Sequence, residues 1–212
     1  MSPEEGRLAV ALARESIERS VSKRIIPLRN LEFGPFLQRR GVFVTLNSAS
    51  KVGNNLRGCV GFPYPIKRLS DAIQEAAVAA ASEDPRFPPV GEEELDSILV
   101  EVSILTPPQD LTVPRLEIPS HLRVGHDGLI ISNSYTSGLL LPQVATEFGM
   151  DQAEFLSQAC MKAGLPPDAW LDPTTRIQIF QAEIFSEKKP GGEVAKVATD
   201  RSLDQHRPAS TD

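Results

Sequence analysis

The chain has few of the residues that mark a disulfide framework, a zinc site or a nucleic-acid-binding surface. It contains only two cysteines and three histidines, and no CxxC or Cys/His grouping surrounds Cys59 or Cys160. The net charge is −6, and no long run of lysine and arginine is present to follow a phosphate backbone. We therefore expect no disulfide, no bound metal or cofactor, and no nucleic-acid partner.

Long hydrophobic runs are also missing. No segment approaches the roughly 18 consecutive apolar residues of a membrane span, and charges interrupt the N-terminal region too often for a signal peptide. We therefore expect a cytosolic protein without a membrane partner. Proline and glycine, by contrast, are abundant, with 18 and 14 residues, which predicts many turns and short elements.

Hydrophobic periodicity predicts helices alternating with groups of strands. A capping box formed by Ser2 and Glu5 starts the first helix; the others are predicted near 67–82 and 151–164, and strands near 41–47, 56–62, 97–108, 126–132, 138–145 and 175–185. This order indicates an α+β fold with a mostly antiparallel sheet and flanking helices. We expect one domain over residues 1–186 and a flexible tail over 187–212, because the tail has little to bury.

The stretch LRGCVG, Leu56 to Gly61, is the first candidate site. On a strand, Arg57 and Cys59 would share a face, and an arginine beside a thiol favours the reactive thiolate. Gly58 and Gly61 would allow a ligand or another backbone to approach. The alternative is that Cys59 is a small buried residue, which is the commonest fate of a free cysteine.

A second candidate is Arg86, which the stretch DPRFPPV presents on stiff chain. Such an arginine is suited to gripping a carboxylate or phosphate, and it would equally serve in a structural ion pair. Glu101, on a strand that is apolar on both faces, is the natural partner for Arg57 or Arg86.

Three further residues complete the set. His126 stands beside Asp127 in GHDGL, where it is either an acid or base for Cys59 or a solvated turn residue. Gln143 follows Pro142 at a strand end, where its amide would orient a ligand or cap exposed backbone. Cys160 lies among apolar residues of a helix and is predicted to be core.

Taken together, these motifs resemble the AMMECR domain family. LRGCVG, DPRFPPV, VEVSILTPP, GHDGLII, GLLLPQVA and CMKAGLPPDAW occur in that family's order and spacing, over about Ile26 to Phe185. The chain resembles the archaeal and bacterial members, which include AmmeMemoRadiSam system protein A. At His126 it departs from the pattern, which more often has arginine there.

The resemblance implies a larger α+β subdomain with a smaller one packed against it, and a groove near the RGC strand. Its candidate positions are Arg57, Gly58, Cys59, Gly61, Arg86 and Phe87, with Gln143 behind them. The family's activity is not established, and microbial relatives resemble partners of a Memo-like protein and of a radical S-adenosylmethionine (radical SAM) protein.

Two functions follow as hypotheses. In the first, the chain is a non-enzymatic binding module whose groove is shaped by Arg57, Arg86 and Glu101 and accepts a partner protein or peptide. In the second, the Cys59 thiolate beside Arg57 performs nucleophilic or redox chemistry on a small anionic substrate that Arg86 orients. Binding is favoured, because no complete set of nucleophile, base and orienting group is visible.

Overall fold

The computed structural model describes residues 1–22, 25–49 and 55–198. Its helices are α1 (Pro3–Ser22), α2 (Leu69–Ser82), α3 (Pro142–Glu147) and α4 (Gln152–Lys162). Its strands are β1 (Gly41–Ser48), β2 (Leu56–Phe62), β3 (Ile98–Leu105), β4 (Gln109–Asp110), β5 (Asp127–Ser132), β6 (Ser137–Leu140), β7 (Arg176–Glu187) and β8 (Val194–Val197). Four short 3₁₀ helices cover Gly34–Leu37, Glu92–Ser97, Arg115–His121 and Ala169–Leu171. The fold is α+β, with antiparallel strand pairs.

The chain forms two compact units. The first comprises Met1–Pro107 together with Glu183–Val197, and the second is built on Pro108–Ala182. Strand β7 belongs to both, since its first residues lie in the second unit and its last five in the first. The first unit is therefore discontinuous along the sequence.

In the first unit, helices α1 and α2 pack on one face of β1, β2 and β3. The capping box predicted for α1 is present, because Ser2 Oγ accepts the Glu5 amide and the Glu5 carboxylate accepts the Ser2 amide. Alternate residues of β1, among them Val42, Val44 and Leu46, are fully buried against the helices. The remaining residues of each strand point to the opposite face, which carries the candidate site.

The second unit has its own core between α4 and the strands β5, β6 and β7. Asp151 and Glu154 form the predicted capping box of α4. Phe155 and Cys160 are buried in this core, which confirms the core prediction for Cys160. At Gly138 in β6, a Cβ would meet the backbone of α4 near Ala163 at 2.3 Å, so this strand approaches the helix closely only because it has glycine there.

Two boundaries differ from the sequence-based prediction. The strand predicted over 138–145 ends at Leu140, and Pro142 begins α3, because proline lacks a ladder donor and suits the first turn of a helix. Within the tail predicted from Glu187 on, Val194–Val197 form a strand that pairs with β7, and Glu187 itself is buried. Residues 199–212 of the predicted tail lie outside the described residues, as does most of the loop between β1 and β2.

Across the three described ranges, no helix is long and apolar enough to cross a membrane.

Candidate functional site

Cys59 lies in a row of side chains on the sheet face of the first unit opposite α1 and α2. The strand register places Thr45 of β1 between Cys59 of β2 and Glu101 of β3. The Thr45 hydroxyl donates a hydrogen bond to Cys59 Sγ at 3.3 Å. All three residues are half-buried. The register thus brings a thiol, a hydroxyl and a carboxylate together on one surface.

The DPR stretch binds the outer edge of β2. The Asp84 carboxylate accepts the backbone N–H of Cys59 at 2.8 Å, and it accepts Arg86 Nε at 2.9 Å and Nη2 at 2.6 Å. Arg86 Nη2 also donates to the Cys59 carbonyl at 3.4 Å. Because β2 is the edge strand of the β1–β2–β3 sheet, Asp84 and Arg86 satisfy backbone groups of Cys59 that a neighbouring strand would otherwise bind.

The charges of this contact are unevenly exposed. Asp84 is buried, whereas the Arg86 side chain is about half exposed and lies over the Phe87 ring, with 5.5 Å between the guanidinium carbon and the ring centroid. Hydrogen bonds from the Arg86 guanidinium hold the pKa of Asp84 far below its usual range, and the Cys59 and Arg86 amides act in the same direction. Asp84 is therefore a fixed anion that holds Arg86 at the surface beside Cys59.

The thiol of Cys59 is not poised as a thiolate. Burial raises its pKa above the ordinary value, and the charges of Glu101 and Asp84 add to that effect. The Thr45 hydrogen bond and the charge of Arg86 act against it without reversing it. The cation that favours the thiolate is thus Arg86.

Arg57 is engaged elsewhere. A β-bulge shifts the register between Gly58 and Leu56, so that Arg57 lies at the irregularity and not in the regular alternation that places Cys59. Its guanidinium donates to both Glu94 carboxylate oxygens, at 2.8 and 2.9 Å, and to the carbonyls of Pro88 and Pro89. It fastens the proline-rich connector and the 3₁₀ helix Glu92–Ser97 to β2. The carboxylate that binds Arg57 is thus Glu94, whereas the sequence predicted Glu101.

The two glycines of the motif are accounted for by internal packing. A Cβ at Gly58 would lie 2.2 Å from the Ala80 carbonyl oxygen of α2, so the approach of another backbone is the one that occurs. A Cβ at Gly61 would lie 2.3 Å from the Val42 carbonyl oxygen and 2.5 Å from the Phe43 ring. Gly58 and Gly61 let a helix and a ring close on β2.

One buried hydroxyl on the same face lacks a partner. Ser103 lies two residues beyond Glu101 on β3 and opposite Phe43. It is fully buried, and its Oγ has no hydrogen-bond partner among the residues that the structure describes. A buried hydroxyl without a partner is unfavourable, and because Ser103 is fully buried, a group from outside would reach it only if the covering residues moved.

The other two predicted site residues belong to the second unit. His126 is exposed at the start of β5. Gln143 is in the first turn of α3, and its Oε1 is buried with no hydrogen-bond partner within the described residues. The neighbouring Asp127 is buried and accepts the amide and guanidinium of Arg123. Asp127 therefore holds the turn that precedes β5.

The sequence reading missed four residues that form this surface. Asp84 had a local signal, because an aspartate that precedes proline at the end of a helix is suited to accept hydrogen bonds from its own turn. Thr45, Glu94 and Ser103 had none, since only the strand register and the 3₁₀ helix bring them to the motif. Over the described ranges, no group of three or more histidine, cysteine or acidic side chains is arranged to hold a metal ion.

Comparison with known proteins decides the family. The family model AMMECR1 matches residues 10–185. The chain belongs to the AMMECR1 family.

Three similar proteins come from archaea. A Methanothermobacter thermautotrophicus protein is 55% identical over 190 residues, which cover 88% of this chain and 96% of the relative. A Methanosarcina barkeri protein is 50% identical over 194 residues, which cover 90% of this chain and 94% of the relative. The crystal structure of an uncharacterized protein from Pyrococcus horikoshii superposes with a TM-score of 0.88 at 46% identity, covering 93% of this chain and 98% of that one.

Proposed function

We propose that this AMMECR1 family chain is a binding subunit, and that its binding surface is the sheet face carrying Cys59, Thr45 and Glu101. The observation that carries the proposal is the fixation of the charged motif residues by internal bonds. Asp84 and Arg86 hold the edge of β2. Arg57 holds the connector through the Pro88 and Pro89 carbonyls, and the 3₁₀ helix through Glu94. These bonds give a rigid surface, and rigidity before binding reduces the entropy lost in a complex.

One feature of this face supports a ligand or partner there. The half-exposed Arg86 offers guanidinium donors beside the half-buried thiol of Cys59. These donors suit a partner that presents carbonyl or carboxylate oxygens. We propose that Arg86, Cys59, Gly61 and Phe87 line a groove, and that Gly58 serves it only by letting β2 lie against α2.

For the partners we propose a Memo-like protein and a radical SAM protein, which the family resemblance implies. The cytosol is the proposed location, because Cys59 and Cys160 are both free thiols. We assign Gln143 to the same function as a proposal that rests on the resemblance alone, and His126 as a proposal that rests on the suitability of a histidine as an acid or base.

The proposal is tested by titrating the full chain with each partner protein from the same genome in a calorimeter. We expect one of them to bind, and Cys59→Ala combined with Glu101→Gln to weaken binding by about tenfold, because both substitutions alter the centre of the surface. Arg19→Ala, an exposed residue on α1, serves as the control and should not change the affinity. Absence of binding by both partners, or equal binding by the variant, would contradict the proposal.

The alternative function is an enzyme that uses Cys59 as nucleophile or redox group on a small anionic substrate. Its support is the Arg86 guanidinium, which lowers the Cys59 pKa and would orient an anion. Its weakness is the net upward shift of that pKa through burial, because the thiolate is the reactive form. An activated thiol at Cys59 would therefore favour the enzyme.

A further inference from the structure

A second surface of the first unit combines exposed apolar side chains with positive charge. It is built from two chain segments, residues 33–40 and 62–69. The Leu69 amide donates to the Gln38 carbonyl at 2.9 Å, Arg39 Nη1 donates to the Ile66 carbonyl at 2.8 Å, and Arg39 and Arg68 form an antiparallel bridge. The two segments are thus held together as one surface, which we call the basic apolar patch.

The apolar members of the patch are unusually exposed for their size. They are Phe33, Leu37, Tyr64 and Ile66, with 47%, 44%, 37% and 55% of their surface accessible. Phe33 packs edge-on against the buried ring of Phe36 at 5.5 Å between centroids, so its position is fixed from below. Grouped apolar exposure of this kind marks docking sites on soluble proteins.

The charge of the patch opposes that of the chain. Segments 33–40 and 62–69 contain Arg39, Arg40, Lys67 and Arg68 and no acidic residue, although the chain as a whole carries a net charge of −6. Part of this charge is used internally, because Arg40 Nε donates to the Leu105 carbonyl and Lys67 pairs with Glu75 of α2. The exposed Arg39 and Arg68 remain at the surface beside Leu37 and Ile66.

We propose that the basic apolar patch docks an acidic segment of a partner protein that also carries aromatic or aliphatic side chains. The apolar side chains of the partner would cover Leu37 and Ile66, and its carboxylates would meet Arg39 and Arg68. Opposite charge at the rim of an apolar contact speeds association and sets its register. This site involves none of the residues of the Cys59 surface and stands independently of the function proposed for them.

A protein segment fits this surface better than the other anionic partners. Nucleic acids are bound through many phosphate contacts, whereas this patch has four cations on a chain of net charge −6. An anionic membrane surface is entered by long amphipathic helices, whereas the helical part of this patch is the short 3₁₀ helix Gly34–Leu37. The exposed apolar side chains of the patch would be buried by a partner that contributes apolar side chains of its own, and a protein segment does so.

The test is selection of a random twelve-residue peptide display library against the full chain, followed by fluorescence anisotropy of the enriched peptides. We expect enrichment of peptides that combine Asp or Glu with Phe, Leu, Ile or Trp. Leu37→Ser with Ile66→Ser, and separately Arg39→Glu with Arg68→Glu, should each weaken their binding by about tenfold. The second pair should also remove most of the salt dependence.

The controls use exposed residues elsewhere, and the apolar ones are exposed at least as much as the apolar residues of the patch. Leu116→Ser with Tyr135→Ser removes exposed apolar surface, and Arg19→Glu with Lys162→Glu reverses two exposed charges. Both should leave peptide binding unchanged. Circular dichroism and urea unfolding establish that each variant is folded.

Three results would overturn the proposal. One is a library that yields no enriched peptide, and another is an enriched set that binds the patch variants as well as the wild type. The third is patch-dependent binding of phosphatidylserine vesicles or of oligo-dT in place of peptides, which would assign the surface to a membrane or to nucleic acid.

Discussion

Cys59 is the residue at which the motif and its surroundings favour different chemistry. The alternation of a strand placed Arg57 and Cys59 on one side, and that arrangement would have lowered the thiol pKa. The β-bulge beside Arg57 breaks the alternation, and the guanidinium binds Glu94. The sequence identified the strand and both residues, but a bulge depends on how the partner strand pairs and has no signal within LRGCVG.

Alkylation measures the state of this thiol directly. In a Cys160→Ala background, we expect iodoacetamide to react with Cys59 slowly at pH 7 and with an apparent pKa above the ordinary value of about 8.5. Arg86→Ala should raise the pKa further, because that charge favours the thiolate, whereas Arg57→Ala should leave it near the wild-type value. A pKa well below 8.5 would contradict this prediction and support the enzymatic alternative.

Asp84 makes stability depend on pH in a predictable direction. Its pKa is lower in the folded chain than in the unfolded chain, so its stabilisation is present above about pH 4 and is lost as pH falls toward the folded-state pKa. We expect Asp84→Asn to lower the free energy of unfolding at pH 7 by about 2 kcal/mol, since charged hydrogen bonds are lost. Urea unfolding at pH 7, 4 and 2.5 should show this difference shrinking with acidity.

The exposed Glu147→Gln provides the control for Asp84. It should leave the pH dependence of unfolding unchanged. If Asp84→Asn and wild type differ equally at pH 7 and pH 2.5, the substitution acts through packing and not through the charge of Asp84.

Helices whose ends carry a capping sequence could be predicted from the chain. Strands that are ordered by pairing with a distant strand could not. The helix starts at Pro3 and after Asp151 follow from capping boxes. The end of β6 was misplaced because the apolar run GLLLPQVA continues into α3, and periodicity alone does not separate a short strand from a short helix. Strand β8 was missed because VAKV is short and gains its order from pairing with β7.

The contact between β2 and α2 depends on Gly58. We expect Gly58→Ala to lower the free energy of unfolding by about 2 kcal/mol, because a Cβ there meets the backbone of α2 and either strand or helix must move. Urea unfolding measures the change in the free energy of unfolding. Hydrogen exchange should show reduced protection at the amides of α2 nearest Ala80.

Gly149→Ala is the comparison for that variant. Gly149 has φ +63° and no atom within 4 Å of a Cβ, so alanine there is strained without any clash. It should lower the free energy of unfolding by about 1 kcal/mol, less than Gly58→Ala does. It should not change hydrogen exchange at the amides of α2. Equal effects of the two substitutions would show that the space above Gly58 is not closed as described.

At the scale of the whole molecule, one buried ion pair joins residues from opposite ends of the sequence. Arg14 of α1 donates to both carboxylate oxygens of Glu187 on β7, each at 2.6 Å, and Glu187 also accepts the Val100 amide. Both side chains are buried. Sequence periodicity placed Arg14 on a helix and left Glu187 at the edge of a tail, since a pairing across 173 positions has no local trace.

Removing one charge of this pair should lower the free energy of unfolding more than removing both charges. Glu187→Gln leaves buried Arg14 with only the more distant Glu18, at 3.6 Å, as its counter-charge, and we expect a loss of about 3–5 kcal/mol in the free energy of unfolding. Arg14→Met with Glu187→Leu should recover part of that loss, because apolar groups of similar size suit a buried site, although the Val100 amide loses its acceptor. Urea unfolding of the single and double variants measures both, and a single variant as stable as the double would refute the prediction.

The discontinuity of the first unit also fixes an order of events during synthesis. The ribosome completes the core of the second unit, which lies within Pro108–Ala182, before it adds the residues of β7 and β8 that the first unit needs. Until residues 183–197 are made, α1 and α2 in the N-terminal half of the newborn chain lack the strand segments that complete their unit, and Arg14 lacks Glu187, while the second unit is already able to fold. In this molecule the part translated first is the part finished last.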